Sequence, residues 1–180
     1  MASGQQSVMG LQLKRRLAGP AVTLRCADVA LVGSCLGVVL ASALLVLSFG
    51  QGRDQGIYSV VARTVLEGGM PYRDAWDFKT PGIYLVYALA RLAFGSAEWG
   101  ARVLEVAGLL ATVAALADLG RRWWGSWRLG LFAGALTALV HAQLDFWHSG
   151  QPETFGGMLT GAALWLGTKP TRRARELVAC

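Results

Sequence analysis

The feature that most constrains this chain is a run of 21 residues without a charge, from Val29 to Phe49. A helix that spans a bilayer needs about 20 such residues, whereas the apolar core of a signal peptide has about 7–15. The run ends without a small-residue cleavage pattern, and Lys14, Arg15 and Arg16 precede it. We therefore predict a retained transmembrane helix that enters the bilayer from the cytoplasm.

The composition also favours a membrane protein, since 54% of the residues are hydrophobic and only 16% are charged. A soluble domain carries about a quarter charged residues. The net charge of +6 does not indicate a nucleic-acid partner, because the basic residues cluster at the ends of apolar runs and no nucleic-acid motif occurs. Cys26, Cys35 and Cys180 are too few and too scattered for a disulfide framework, and Cys35 is predicted to be a packing residue.

Three more apolar segments are predicted to span the membrane, at Val103–Leu119, Leu129–Leu144 and Thr154–Thr168. The apolar core of Pro81–Gly95, Ile83 to Ala90, is too short to span and Arg91 interrupts the segment, so we predict a helix that lies at the membrane interface or re-enters the membrane. With four spans, three basic clusters share the cytoplasmic side, as the positive-inside rule requires. These clusters are Lys14/Arg15/Arg16, Arg121/Arg122/Arg128 and Lys169/Arg172/Arg173/Arg175.

The predicted fold class is therefore all-α. It is a polytopic membrane protein with about four transmembrane helices, and short juxtamembrane helices lie in the first outer loop. Residues 1–28 form a cytoplasmic tail, 29–168 the membrane domain and 169–180 a basic cytoplasmic tail, so both termini are cytoplasmic. The outer loop, 50–101, carries acidic and basic side chains in near-equal number, which the positive-inside rule does not explain.

This loop contains three short motifs in order: "DQGIY" from Asp54, "GGMPYRD" from Gly68 and "KTPGIY" from Lys79. With the following "LAFG" and "EWGARVLEVAGLL", they resemble the first outer loop of the GT-C polyprenyl-phosphate-sugar glycosyltransferases. That group includes glycosyltransferase family 39, the protein mannosyltransferases and the aminoarabinose transferases. The resemblance covers Leu31–Leu166, which corresponds to the N-terminal third of a typical family member. It implies transfer of a sugar from a polyprenyl-phosphate carrier at the outer face of a bacterial inner membrane.

The resemblance implies two central roles. Asp54 matches the catalytic acidic position and would be the general base, while Lys79 matches the lysine that lies close to the carrier phosphate. The alternatives are structural: Asp54 as the N-cap of a helix Ile57–Leu66, and Lys79 as a lysine that snorkels to the membrane interface. In chemical terms, the transfer needs a carboxylate to take a proton and cations to hold the phosphate charge.

Further side chains of the loop are candidates for substrate contacts. Arg53 and Arg73 are candidate phosphate partners, with ordinary surface charge as the alternative. The candidates for contact with the sugar are Tyr72, Asp74, Trp76, Asp77 and, from the segment "HSGQPETF", Glu153. An Asx turn is the alternative for the two aspartates.

Three positions depart from the family pattern: Gln55, Phe78 and Thr80 stand where relatives have a Glu, a His or acidic residue, and a Pro. The first two departures make a metal less expected, so we predict no cofactor, although a divalent metal stays open. His141, Asp145 and His148 stand at i, i+4 and i+7, so they are predicted to share one helical face, where a metal site is the alternative to a role in lining the substrate site.

Charged pairs with helical spacing also stand at the two ends of the second span. Arg102 and Glu105 are predicted to form a structural ion pair, and Asp118 with Arg121 and Arg122 a similar one.

Two alternatives to an active enzyme stay open: a truncated, non-catalytic membrane remnant, or a partner subunit whose companion chain completes the fold. A transporter would need ionisable residues in the middle of the spans, whereas the charged residues here stand at their ends.

Overall fold

The computed structural model describes residues 26–168, and these are all helix, turn or loop apart from one isolated bridge between Pro71 and Ala75. The chain divides into two units, Met1–Leu31 and Val32–Cys180, and of the first only residues 26–31 are described. The helices of the described part are α1 Cys26–Ser48, α2 Arg53–Leu66, α3 Pro81–Phe94, α4 Gly100–Trp124, α5 Trp127–Gln143, α6 Asp145–His148 and α7 Pro152–Gly167. The basic clusters at Lys14 and Lys169, together with Cys180, lie outside the described residues.

Two helices of the described residues, Asp28–Ser48 and Gly100–Trp124, are long and apolar enough to cross a membrane. Their most apolar windows have mean hydropathies of 2.5 and 1.8, which reflects an almost uncharged composition. The other two predicted spans are helical, but α5 has 17 residues and α7 has 16. At a rise of about 1.5 Å per residue they are about 25 Å long, less than the hydrocarbon core of about 30 Å. Their spanning role stays a prediction.

Helices α4 and α5 form a tight antiparallel hairpin. Gly125 ends α4 in the left-handed conformation with φ 68°, which a residue without a Cβ adopts at little cost. The Ser126 side chain then caps α5 by accepting a hydrogen bond from the backbone N–H of Leu129. Gly120 and Gly130 face each other, and a Cβ at Gly120 would lie 2.6 Å from the Gly130 nitrogen. Glycine at both positions therefore allows the two backbones to touch.

We expect Gly120→Ala to destabilise the protein by about 1–3 kcal/mol, because the added methyl group must push the two helices apart. The control is Gly37→Ala in α1, where an added Cβ meets no atom within 4 Å. Alanine is also the better helix former, so this variant should be at least as stable as the wild type. Denaturant titration in detergent micelles measures both changes, and equal stability of the two variants would contradict the close approach.

The C-terminal ends of α4 and α7 are joined by the predicted charged cluster. Asp118 accepts hydrogen bonds from Arg121, Arg122 and the indole N–H of Trp165, and Arg122 also donates to the Trp165 carbonyl. The predicted ion pairs of Asp118 with Arg121 and Arg122 are thus confirmed. Because these arginines find partners in the fold, α4 continues to Trp124, five residues beyond the predicted end of the span.

The described part of α1 in the second unit packs on the α4–α5 hairpin through small and branched side chains. This core cluster consists of Cys35, Val39, Leu109, Val113, Leu131, Ala135 and Ala138. Cys35 is free and 5% exposed, so the prediction of a packing residue is confirmed.

A second cluster joins α2, α3 and the start of α4, and it is built around three tyrosines. The rings of Tyr84 and Tyr87 lie 6.3 and 5.6 Å from that of Tyr58, in tilted and edge-to-face arrangements. All three side chains are at most 2% exposed. Pro81 begins α3, as a residue that lacks a backbone N–H suits the first turn. The prediction that Pro81–Gly95 is helical is confirmed, while its location at the membrane stays a prediction. The cluster fixes α2 and the Lys79 loop beside it.

Candidate functional site

The described residues form an open cavity of about 960 Å³ that borders α2, the Lys79 loop, α5, α6 and α7. Its charged and titratable side chains are Asp54, Lys79, His141, His148 and Glu153. Apolar and neutral polar side chains complete the wall, namely Leu136, Thr137, Val140, Leu144, Trp147, Gln151 and Thr154. The cavity therefore combines opposite charges with an apolar wall, which suits an amphipathic ligand.

Asp54 reaches this cavity from the first turn of α2. The helix begins at Arg53, with Gly52 as its N-cap, so the alternative prediction that Asp54 caps a helix Ile57–Leu66 is wrong. At this position the carboxylate still benefits from the positive end of the helix dipole. It is half-buried, and its Oδ2 accepts a hydrogen bond of 3.4 Å from the Gln151 side chain. Arg53, the neighbouring candidate, is exposed and is not among the residues that line the cavity.

Lys79 enters the cavity from the loop that precedes α3. Its ammonium group lies 3.8 Å from the Glu153 carboxylate, and the lysine side chain is 22% exposed against 75% for the glutamate. The backbone carbonyl of Lys79 accepts a hydrogen bond from the Tyr72 hydroxyl at 2.6 Å. The Tyr84 hydroxyl lies 3.1 Å from both this carbonyl and the Asp77 carboxylate, which share its one hydrogen. These two phenols hold the loop in place although Thr80 stands where the family pattern has proline.

Two of the predicted sugar contacts have structural partners in the loop instead of positions in the cavity wall. Asp77 is 6% exposed, and its carboxylate accepts hydrogen bonds from the Tyr84 hydroxyl and the Phe78 backbone N–H. Tyr72 has a φ of 69°, unusual for a tyrosine, and its ring packs edge-to-face on that of Tyr84. Both residues position Lys79, and their direct contact with a sugar stays a prediction.

The other candidates of the loop point to its exposed surface. Arg73 donates two hydrogen bonds to Asp74, and this pair, together with the Met70 backbone N–H, lowers the pKa of the Asp74 carboxyl to about 2. Trp76 is 74% exposed. None of these three residues is among those that line the cavity, so their predicted roles as phosphate and sugar contacts stay predictions.

A buried polar network lies behind the cavity wall and confirms the predicted pair of Arg102 and Glu105. The two side chains, 2% and 0% exposed, meet at 2.8 Å. Glu105 also contacts the His141 ring nitrogen Nε2 at 3.0 Å and accepts from the Gly150 backbone N–H at 2.7 Å. Arg102 donates further to the Ser149 hydroxyl and to the Gly50 carbonyl. The network therefore fixes the segment that leads into α7.

The predicted common helical face of His141, Asp145 and His148 is wrong. Helix α5 ends at Gln143, and Asp145 has a φ of 64°, which interrupts the helical repeat. His141 then faces Glu105, whereas Nδ1 of His148 contacts the Leu144 carbonyl. Within residues 26–168 there is no group of three or more His, Cys, Asp or Glu side chains that could hold a metal ion.

A second cavity of about 530 Å³ lies between α3, α4 and α7 and is almost entirely apolar. Small residues of α4 form one wall, and Phe155, Met158 and Trp165 of α7 form another. Helix α7 borders both cavities, since Glu153 and Thr154 line the first. A hydrocarbon chain would find an apolar surface there, next to the helix that begins at the charged cavity.

Sequence reasoning missed Gln151, Tyr58 and the pairing of His141. Gln151 is 7% exposed and bonds to Tyr58 and Asp54, which precede it by more than ninety residues. The only signal for these contacts in the sequence was that both histidines of the chain stand in or shortly before "HSGQPETF".

Comparison of the chain with family models, with curated proteins and with solved structures finds no match. The predicted relationship to the GT-C enzymes therefore stays a prediction from the motifs of residues 50–101.

Proposed function

We propose that this chain is a membrane glycosyltransferase that moves a sugar from a polyprenyl-phosphate carrier to an acceptor at the outer face of the membrane. The observation that carries the proposal is that Asp54, Lys79 and Glu153, which are separated in sequence, line one cavity with an apolar wall. A carboxylate and a cation in the same half-enclosed space are the two groups that the reaction requires.

In this proposal the cavity holds the carrier phosphate beside Lys79. Asp54 takes the proton of the acceptor hydroxyl while the oxygen of that hydroxyl bonds to the anomeric carbon of the sugar. The bond from that carbon to the phosphate oxygen breaks, and its electron pair stays on the departing polyprenyl phosphate. Lys79 stabilises that charge in a site of reduced solvent access, where electrostatic attraction is stronger than in water. The apolar cavity between α3, α4 and α7 offers a place for the isoprenoid chain.

We further propose a multi-pass topology in a bacterial inner membrane, with the cavity at the outer face and both termini in the cytoplasm. The α4–α5 turn supports this orientation, because Trp123, Trp124 and Trp127 are 41–65% exposed there beside Arg121 and Arg122. Exposed tryptophans are typical of either membrane interface, and basic residues beside them favour the cytoplasmic one.

The topology predicts opposite accessibility for two exposed tryptophans when each is replaced by cysteine. In a background without the native cysteines, Trp76→Cys should react with a membrane-impermeant thiol reagent in intact cells, because its side chain is 74% exposed in the outer loop. Trp124→Cys, which is 65% exposed in the wild type, should react only after the cells are opened. Labelling of Trp124→Cys but not of Trp76→Cys in intact cells would show the opposite orientation in the membrane.

Lys79→Ala is expected to weaken the binding of polyprenyl phosphate by about tenfold or more, since a hydrogen bond to a charged group contributes about 1.5–3 kcal/mol. Lys79→Arg keeps the charge and should retain most of the affinity. The control is Arg63→Ala, because this cation is exposed on α2 and is paired only with Glu67 at 3.7 Å in the described structure. Titration of purified protein in micelles with the carrier phosphate alone measures the change. Equal affinities of the wild type and all three variants would contradict the binding of the phosphate beside Lys79.

A further inference from the structure

Gln151 is the only described residue for which a side-chain hydrogen bond to Asp54 is found, and the orientation of its amide is fixed. Its Nε2 donates to the Trp147 carbonyl at 3.0 Å, and a carbonyl can only accept. The amide oxygen must therefore be the end that faces Tyr58, whose hydroxyl donates to it at 2.6 Å. Burial and the nearby Asp54 raise the pKa of the Tyr58 phenol, which keeps this donor protonated. The second hydrogen on Nε2 is thereby directed to Asp54 Oδ2 at 3.4 Å.

The backbone that carries Gln151 is also held rigidly. Gly150 donates its N–H to Glu105 and accepts at its carbonyl from the Tyr87 hydroxyl. Its φ of +67° disfavours a residue with a side chain, and a Cβ would lie in tight contact, 3.0 Å from both the Tyr87 hydroxyl and an Arg102 nitrogen. The Ser149 hydroxyl accepts from Arg102, and the Ser149 carbonyl accepts from the Gln55 amide. These bonds place Gln151 before any ligand binds, which is the condition for a preorganised site.

We propose that Gln151 is a positioning residue that holds the Asp54 carboxylate in the orientation needed to take the acceptor's proton. This inference rests on the proposed function, in which Asp54 is the general base. Gln151 binds Oδ2 and so turns Oδ1 towards the acceptor hydroxyl, whose proton it receives. Tyr58 acts on Asp54 indirectly, because the hydrogen bond from its hydroxyl opposes a 180° rotation of the Gln151 amide.

The first test needs no transfer activity and measures whether residues 151 and 54 are in contact. Gln151→Glu places a second carboxyl next to Asp54, and like charges in a half-buried site favour the protonated form. The introduced carboxyl is therefore protonated more readily in the folded protein than in the unfolded chain. The stability that this protonated carboxyl contributes is present at low pH and is lost as the pH rises through the pKa that the carboxyl has in the folded protein.

Relative to wild type, the melting temperature of Gln151→Glu should fall by about 4 °C between about pH 5 and pH 8. The double variant with Asp54→Asn should lose most of that pH dependence, because the like charge is gone. The same pH dependence with and without Asp54→Asn would overturn the inference. If Gln151→Glu does not fold at any pH, the kinetics of Gln151→Leu relative to the wild type test the inference instead.

The second test separates positioning from binding. Gln151→Leu fills a similar volume without the donor and should lower kcat by about tenfold while KM for the polyprenyl-phosphate donor stays the same. Tyr58→Phe keeps the ring but removes one of the two hydrogen bonds that orient the Gln151 amide. It should therefore also lower kcat, by a smaller factor. A raised KM with unchanged kcat for Gln151→Leu would overturn the inference. Absence of transfer by the wild type would instead contradict the proposed function, and the melting comparison would still decide whether Gln151 holds Asp54.

Discussion

Asp54→Asn is expected to lower the rate of sugar transfer from a polyprenyl-phosphate donor by about 10²–10⁴-fold, the usual contribution of a general base. The amide has nearly the same shape as the carboxylate and can still contact Gln151, but it cannot take a proton at neutral pH. Lys79 and the apolar wall are unchanged, so KM for the donor should change little. The measurement follows a labelled sugar from the donor into the acceptor fraction of membranes that contain the protein.

The matched control is Glu67→Gln, which makes the same chemical change at the other end of α2. The Glu67 side chain is 68% exposed and pairs with Arg63 at 3.7 Å. An exposed pair of this kind contributes at most about 1 kcal/mol to stability, so the variant should transfer sugar at the wild-type rate. If Asp54→Asn also retains the wild-type rate, Asp54 is not the base. Absence of transfer by the wild type would favour a non-catalytic membrane protein or a partner subunit.

The sequence predicted the helices well because length and hydrophobicity decide them locally. The predicted α1 and α3 agree with the observed helices to within a few residues, since α1 is an uncharged apolar run and α3 is apolar apart from Arg91. The break after α5 was missed because no glycine or proline marks it; Asp145 adopts a left-handed conformation that aspartate tolerates better than most residues. Membrane spanning by the two shorter helices could not be decided from pattern alone.

The candidate site was predictable where a short motif marks its residues. Asp54 and Lys79 follow from the motifs of residues 50–101 and Glu153 from "HSGQPETF", and all three line the cavity. The contacts that hold them come from distant parts of the chain. Gln151 lies 97 residues from Asp54, and His141 lies 36 residues from Glu105. Such pairings depend on how helices pack, and a single sequence has no local pattern that records them. The burial of Asp77 against Tyr84 likewise depends on packing, and its predicted contact with the sugar stays a prediction.

Glu105→Gln is expected to destabilise the protein by about 3–5 kcal/mol, the cost of removing one partner of a buried ion pair. Arg102 is 2% exposed, so its charge would be left in the interior without a countercharge. The carboxylate also accepts from Gly150 and contacts His141, and a neutral amide with one acceptor oxygen cannot serve all three partners. Unfolding by denaturant in detergent micelles measures the free-energy difference.

Glu67→Gln again provides the control, and its unfolding midpoint should stay close to that of the wild type because its partner is exposed. Arg102→Met combined with Glu105→Leu should recover part of the stability lost in Glu105→Gln, because no unpaired charge remains buried. The recovery is expected to be incomplete, since Ser149 and the Gly50 carbonyl also lose the hydrogen bonds that Arg102 donates. If Glu105→Gln instead unfolds at the wild-type midpoint, the network does not hold the segment before α7, and the rigid placement of Gln151 loses its physical basis.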